Sequence, residues 1–374
     1  MIKCGILTFH RAVNYGAVLQ SYALNKAANL LGFETEIIDY RCKFIEDYYN
    51  SWKLLFPRNW KRFCSYLIFN GNFNPNKNRL FDFLKKNANV SKNVYYNIAE
   101  LKTIEEYYDC FITGSDQIWN PYTAGFDEAY FLTFINTQRK KNSYAASFGL
   151  SELPEEYKNE YIKRLQSFAN YSVREDSGKE IIEKLLGIEA TVDLDPTLLL
   201  TKSNWTDILD DNLVRSDIKE KKYILIYAIS ENKKMILMAK KIAKKKSSRV
   251  WYINDRWRKC PGVKNISKVN IDEWLYLFLH ADYIITDSFH GTAFSINFEK
   301  NFIVYQNEPT GKSSRIVSLL KQLNLLGRIY YEGNSNENLE NIDFAKVQTE
   351  LKKLREKSIV NLKNILETSK NEND

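Results

Sequence analysis

The chain has 374 residues, of which 44% are hydrophobic, and a formal net charge of +8. That length predicts two domains with sizeable cores, and the mild basic excess suits an anionic ligand or an acidic membrane surface. It is too diffuse to point to nucleic acid, and no nucleic-acid-binding motif is present. The five cysteines, Cys4, Cys42, Cys64, Cys110 and Cys260, include no C-x-x-C pair, which argues against a zinc site or a disulfide framework and for a reducing cytoplasm. Residues 1–7 are too short an apolar run for a signal peptide, and no run approaches the ~18 apolar residues of a spanning helix. The expectation is a soluble cytoplasmic protein, or one peripheral to a membrane.

From the N-terminus, residues 4–9 predict a buried strand, 17–31 a helix capped by Gly32, and 35–39 a second strand. This βαβ opening implies a parallel sheet. The loop Asn14-Tyr15-Gly16-Ala17 either brings backbone N–H groups to a ligand at the helix start or is an ordinary tight turn. It is not a G-x-G-x-x-G fingerprint, which occurs nowhere in the chain. Residues 41–87 contain ten Lys/Arg against three Asp/Glu, and twelve aromatics. Trp52, Phe56, Trp60, Phe63 and Leu67 recur there at helical spacing. An inserted helical pair with core aromatics explains this pattern; a basic–aromatic face for a membrane surface or a lipid-linked sugar is the sharper reading.

Residues 108–113 predict another strand, running into Gly114-Ser115-Asp116-Gln117-Ile118-Trp119. A small polar loop directly after a buried strand lies at the ligand edge of such a sheet. Asp116 can accept a proton or bind hydroxyls there, or cap the next helix. Trp119 can stack on a sugar ring or fill the core. Strands follow at 142–146 and 171–174, with helices at 154–169 and 175–186. Arg174 thus ends a strand, where its fork suits a carboxylate or phosphate; a salt bridge to Glu175 or Asp176 is the plainer alternative.

A second β/α series begins near residue 200, with strands at 223–229, 249–253 and 301–305 and helices at 233–246 and 271–279. The five lysines of 240–246 read as a solvated helix face. Its centre is the stretch 281–296, ADYIITDSFHGTAFSI. Tyr283–Thr286 reads as a buried strand, Asp287 and Ser288 as turn and N-cap residues, and Thr292 as part of a helix start. A helix N-terminus offers N–H groups and a positive dipole end to an anion. His290, one of three histidines, sits in that elbow and is a candidate functional residue. Lys312 and Arg315 open a later helix and can hold an anion beside its N–H groups. Residues 342–370 form a long charged helix. The expected division is therefore 1–200, with the insertion at about 41–87, then 201–340, then a terminal helix and tail at 341–374.

Six blocks in order are TFHRAVNYGAVLQSYAL (8–24), FITGSDQIWNP (111–121), SYAASFG (143–149), SVREDSG (172–178), DPTLLL (195–200) and TDSFHGTAFSI (286–296). Together they resemble the polysaccharide pyruvyl transferase family. The resemblance implies an α/β fold of two Rossmann-like, doubly wound domains facing a cleft, as in GT-B glycosyltransferases. It also implies transfer of a carboxyethylidene group from phosphoenolpyruvate to two hydroxyls of a sugar in a cell-surface polysaccharide or its lipid-linked precursor. Arg174, in the family's S-V-R element, and His290, in its S-x-H-G element, match positions associated there with the donor and with catalysis. Some members carry an arginine two residues before the histidine, where this chain has Ser288, so Arg315 or Lys312 must supply that cation.

Under this resemblance Arg174, Lys312, Arg315, Ser288, Gly291 and Thr292 bind phosphoenolpyruvate, whose carboxylate and phosphate demand a cationic site. His290 donates a proton or assists the leaving phosphate, and Asp116 or Asp287 takes the acceptor's proton. Asn14, Tyr15, Gly16, Ser115, Gln117 and Trp119 contact the acceptor, a sugar or lipid-linked oligosaccharide. No metal or cofactor is expected beyond phosphoenolpyruvate as co-substrate. The residues alone also permit a nucleotide-sugar glycosyltransferase on the same fold, or a non-catalytic carbohydrate-binding or assembly protein.

Overall fold

A computed structural model describes residues 2–49, 76–220, 222–229, 232–256, 259–306, 314–331 and 340–368. It divides the chain into two compact units, one of residues 1–199 with 355–374 and one of residues 200–354. The long helix Phe344–Glu367 changes unit between residues 354 and 355. The terminal helix expected as a separate piece is thus shared between the two units.

In the first unit, β1 (Lys3–Leu7), β2 (Glu34–Tyr40), β3 (Val90–Tyr95), β4 (Cys110–Thr113) and β5 (Lys141–Ser143) form one parallel sheet in the order β3-β2-β1-β4-β5. A two-stranded parallel sheet, β6 (Ser172–Val173) with β7 (Thr191–Val192), continues beside it through bridges from Asn142 to Asn170 and from Ala146 to Val173. β4 is buried throughout, because helices cover both faces of such a sheet. The helix Tyr15–Leu30 is buried along nearly all its length, and its sequence is mostly apolar or small, with the buried Gln20 and Asn25 side chains hydrogen-bonded.

The second unit repeats the plan. β8 (Tyr223–Tyr227), β9 (Arg249–Ile253), β10 (Lys264–Ile266), β11 (Tyr283–Thr286), β12 (Phe302–Gln306) and β13 (Ile329–Tyr331) form a parallel sheet in the order β10-β9-β8-β11-β12-β13. Its core is closed by aromatic contacts, among them Tyr223 stacked on Trp251 at 4.0 Å. In each sheet the strand order reverses at one point, between β1 and β4 and between β8 and β11. Open α/β sheets bind ligands beyond the carboxyl ends of the strands at such a point.

The predicted helix at 233–246 matches Lys233–Lys246. The strand expected at 4–9 stops at Leu7, and the helix expected at 154–169 is a 3-10 turn followed by Lys158–Leu165. Of the 41–87 insertion, the helices Lys43–Tyr49 and Asn76–Asn87 are described. The aromatic stripe from Trp52 to Leu67 lies outside the described residues.

Candidate functional site

At the carboxyl edge of the first sheet, Asn14 caps the helix Tyr15–Leu30 by accepting from the Gly16 and Ala17 amides at 2.8 and 3.3 Å. The Gly16 and Ala17 amides, read from the sequence as groups that could meet a ligand, are thus taken by the Asn14 cap, and Tyr15 and Gly16 are buried. Gln20, one turn into the helix, joins the two strand ends. Its amide donates to Thr8 Oγ1 at 2.8 Å, and its carbonyl accepts from the Ser115 amide at 3.1 Å.

Arg174 extends from the end of β6 into this edge. Its Nη1 donates to Asp195 Oδ2 at 2.6 Å and its Nη2 to Asp116 Oδ1 at 3.4 Å. Asp195 is anchored in turn: Oδ1 accepts from the Thr197 amide at 3.0 Å and hydroxyl at 2.7 Å, and Ser115 Oγ lies 3.2 Å from Oδ2. Burial alone would lower the Arg174 pKa, but Asp195, Asp116 and Glu175 together hold it above the ordinary guanidinium value. Glu175 is not the salt-bridge partner that sequence proximity suggested. Its Oε1 accepts from Ser147 Oγ and the Phe148 and Gly149 amides at 2.9–3.1 Å, fixing the 147–149 turn. Two of the guanidinium nitrogens of Arg174 thus each meet a carboxylate at this edge.

Asp116 is part-buried and adopts φ 67°, in the left-handed region, and its carbonyl accepts from the Ser147 amide at 2.9 Å. The Gln117 amide packs against Gly149, where a Cβ would come within 2.7 Å of Nε2. Trp119 is fully buried among Phe131, Phe148 and Phe168, and its indole N–H donates to the Tyr130 carbonyl at 3.2 Å. The sugar-stacking role expected of Trp119 is therefore corrected: the ring is core, placed there by the apolar residues around it.

Sequence reasoning did not single out His10 and Asp39. Both are buried at the ends of β1 and β2, with His10 Nε2 3.2 Å from Asp39 Oδ1 and Nδ1 3.2 Å from the Thr8 carbonyl. Arg41 adds a second contact to Asp39 at 3.3 Å. Burial would raise the Asp39 pKa, yet His10 and Arg41 hold it below the ordinary carboxylate value. The signal was available, since a histidine just beyond a predicted strand occupies the ligand edge. Its partner, 29 residues away, was not.

In the second unit, β11 ends at Thr286 and the helix Phe289–Asn297 begins three residues later, capped by Ser288. Ser288 Oγ accepts from the Gly291 amide at 3.3 Å, and its carbonyl accepts from the Thr292 amide and hydroxyl at 3.0 Å each. Ser288 and Thr292 thereby build the elbow. Gly291 is required by packing: a Cβ would fall 2.3 Å from Thr286 Oγ1 and 3.0 Å from the Tyr227 ring. Asp287 Oδ1 accepts from the Ile229 amide at 2.6 Å, joining the ends of β8 and β11 at the switch point. His290 lies in the first turn of the elbow helix, 6% exposed. The Arg315 guanidinium stands 5.9 Å from the Phe289 ring centre, so it lies beside the same turn. Lys312 lies outside the described residues. The elbow combines a positive helix end, an imidazole and a guanidinium, which suits an anionic ligand. Among the described residues no three His, Cys, Asp or Glu side chains converge as a metal site, and no helix is long and apolar enough to cross a membrane.

The fold resembles solved sugar-nucleotide enzymes. UDP-GlcNAc 2-epimerase from Methanocaldococcus jannaschii matches with a TM-score of 0.52 at 13% identity, over 94% of this chain and 92% of that one. MnaA of S. aureus with UDP matches at 0.50 and 11%, over 95% and 88%. UGT89C1 of Arabidopsis thaliana with UDP matches at 0.50 and 10%, over 98% and 99%. Identities this low show the fold alone: a GT-B-like α/β chain with two Rossmann-like sheets. No curated protein sequence matches the chain closely enough to count as a relative. The family model for polysaccharide pyruvyl transferase matches residues 14–309, which take in the unit 1 edge from Asn14 to Asp195 and the elbow around His290. The chain belongs to the polysaccharide pyruvyl transferase family.

Proposed function

We propose that this protein transfers a pyruvyl group from phosphoenolpyruvate to two hydroxyls of a sugar in a cell-surface polysaccharide or its lipid-linked precursor. The observation that supports the reading is the elbow of the second unit, a capped helix start at the strand-order reversal with His290 in its first turn and Arg315 beside it. Phosphoenolpyruvate carries a carboxylate and a phosphate, and both gain from a helix N-terminus and a guanidinium fork. Ser288 and Thr292 shape that cradle, and Gly291 allows its close packing.

The chemistry balances without an oxidant. One sugar oxygen bonds to C2 of the enol while the methylene carbon takes a proton and becomes methyl. A second sugar oxygen then displaces phosphate from C2 and closes the ketal ring. Of the two hydroxyl protons, one is matched by the new methyl hydrogen and the other leaves with phosphate. His290 is the proposed proton donor, with Asp116 or Asp287 as the base. A cytoplasmic setting is supported by buried free thiols at Cys4, Cys42, Cys110 and Cys260.

Phosphate release from phosphoenolpyruvate, with sugar acceptors, tests the reading. His290→Ala is expected to fold normally and to lose about 10²–10⁴-fold in turnover, the usual range for a general acid. Near-normal turnover in that variant would remove His290 from the mechanism.

A further inference from the structure

We propose that the outer face of the helix Lys233–Lys246 is a docking surface for an anionic lipid bilayer. This goes beyond the pyruvyl-transfer reading and does not depend on it. The starting point is where the charge of the chain lies. Residues 232–270, which hold this helix and the strands β9 and β10, contain thirteen Lys/Arg against one Asp. That is +12 in one stretch, against +8 for the whole chain, which leaves −4 on all other residues. The stretch forms one end of the second sheet, where the strand order runs β10-β9-β8. A basic excess gathered in one place, on a chain that is otherwise acidic, marks a surface that meets a polyanion.

Within the helix every charge is a lysine and no acidic residue offsets them. Met235, Met238, Ala239 and Ile242 turn into the core of the second unit, so the helix lies flat along its surface. Two lysines are turned aside: Lys240 donates to the Pro261 carbonyl at 2.7 Å, and Lys246 stands over the Tyr283 ring at 5.6 Å. Lys234, Lys241, Lys244 and Lys245 are exposed at helical spacing on one face, and Leu237, 63% exposed, lies between them. Lys241 stands three and four residues from Lys244 and Lys245, where like charges repel and weaken a helix. An anionic surface laid against that face relieves the repulsion.

Solvation alone accounts for the exposure of this face but not for its single sign. The other long charged helix, Phe344–Glu367, carries Glu350, Glu356 and Glu367 among its lysines. Among polyanions, the side chains favour lipid headgroups. Lysine is a hydrated point charge on a long stem, which suits a diffuse headgroup layer. Bidentate recognition of phosphates and bases in nucleic acid favours arginine, and the helix has none. Leu237 adds an apolar contact that fits the boundary between headgroups and acyl chains. Each lysine held near an anionic leaflet strengthens binding about fivefold.

The test is co-sedimentation of the full chain with vesicles of phosphatidylcholine, alone or with about one third phosphatidylglycerol, at about 0.1 M salt. Wild type should bind the mixed vesicles and leave phosphatidylcholine alone, and about 0.5 M salt should release it. The combined variant Lys241→Gln, Lys244→Gln and Lys245→Gln keeps helix propensity and should bind about 100-fold more weakly, at about fivefold per lysine. Lys92→Gln, Lys102→Gln and Lys163→Gln together remove the same charge from exposed positions of the first unit. That control should bind within about threefold of wild type, since charges beyond about 10 Å are screened. Four results overturn the assignment: no binding of wild type to the mixed vesicles, equal binding to phosphatidylcholine alone, a helix variant that binds like wild type, or a control as weak as the helix variant. Duplex DNA at the same phosphate concentration should leave the protein on the vesicles. Displacement by DNA makes the face a nucleic-acid surface and likewise overturns the assignment.

Discussion

At the scale of single residues, Gly291 shows how tightly the elbow is built. The Thr286 hydroxyl occupies the space of its missing Cβ, and the Tyr227 ring borders it. Gly291→Ala should therefore destabilise the protein by about 1–3 kcal/mol, the usual cost of overpacking a close-packed site, seen as a lower urea midpoint. Asp39 predicts a pH effect of known sign. Its folded pKa lies below the ordinary value because His10 and Arg41 outweigh burial. The stability this contributes is complete above the unfolded carboxylate pKa of about 3.9 and is lost as pH falls through the folded value. Comparing urea midpoints of wild type and Asp39→Asn from pH 6 down to pH 2 should show a gap that narrows at the acid end. A gap that widens on acidification would contradict the assignment. These residues also mark what a sequence leaves unreadable. Ser288 was placed correctly because an N-cap is a local pattern, whereas the helix begins at Phe289, ahead of the start read near Thr292, and takes in His290. The partners of Arg174 were not, since Asp116 and Asp195 are 58 and 21 residues away and only the folded sheet brings them together.

At the scale of elements, the strand-to-helix junctions are what the amino-acid pattern states most clearly. β8, β11 and β12 are buried along their whole length, so they read as unbroken apolar runs. β3, β10 and β13 were missed. They are edge strands of short or mixed burial, and an edge strand needs no strong apolar signature. The 114–119 loop is an instructive split. Its position after β4 was legible, but the direction of Trp119 was not, because the aromatics that enclose it come from 131, 148 and 168. As a core ring it predicts a structural phenotype. Trp119→Ala should cost about 3–5 kcal/mol of stability, read by thermal or urea unfolding. A variant with wild-type stability and weakened sugar binding would restore the stacking role.

At the scale of the whole molecule, the order of six short blocks along 374 residues was enough to point to the family, and the match over residues 14–309 shows it. Each block falls at or near a carboxyl-edge turn or the start of its helix, which is why the blocks, and not the cores between them, hold the recognisable chemistry. The helix Phe344–Glu367 was foreseen as an element, but its division between two units was not; helical periodicity states which face is apolar, not which core it enters. Fold likeness to enzymes solved with UDP leaves the donor as the decisive question. The measurement that answers it most directly is calorimetric titration of phosphoenolpyruvate and, separately, UDP into the wild-type protein. The account predicts saturable binding of phosphoenolpyruvate and none of UDP. Binding of UDP with no response to phosphoenolpyruvate would contradict it and favour a nucleotide-sugar glycosyltransferase.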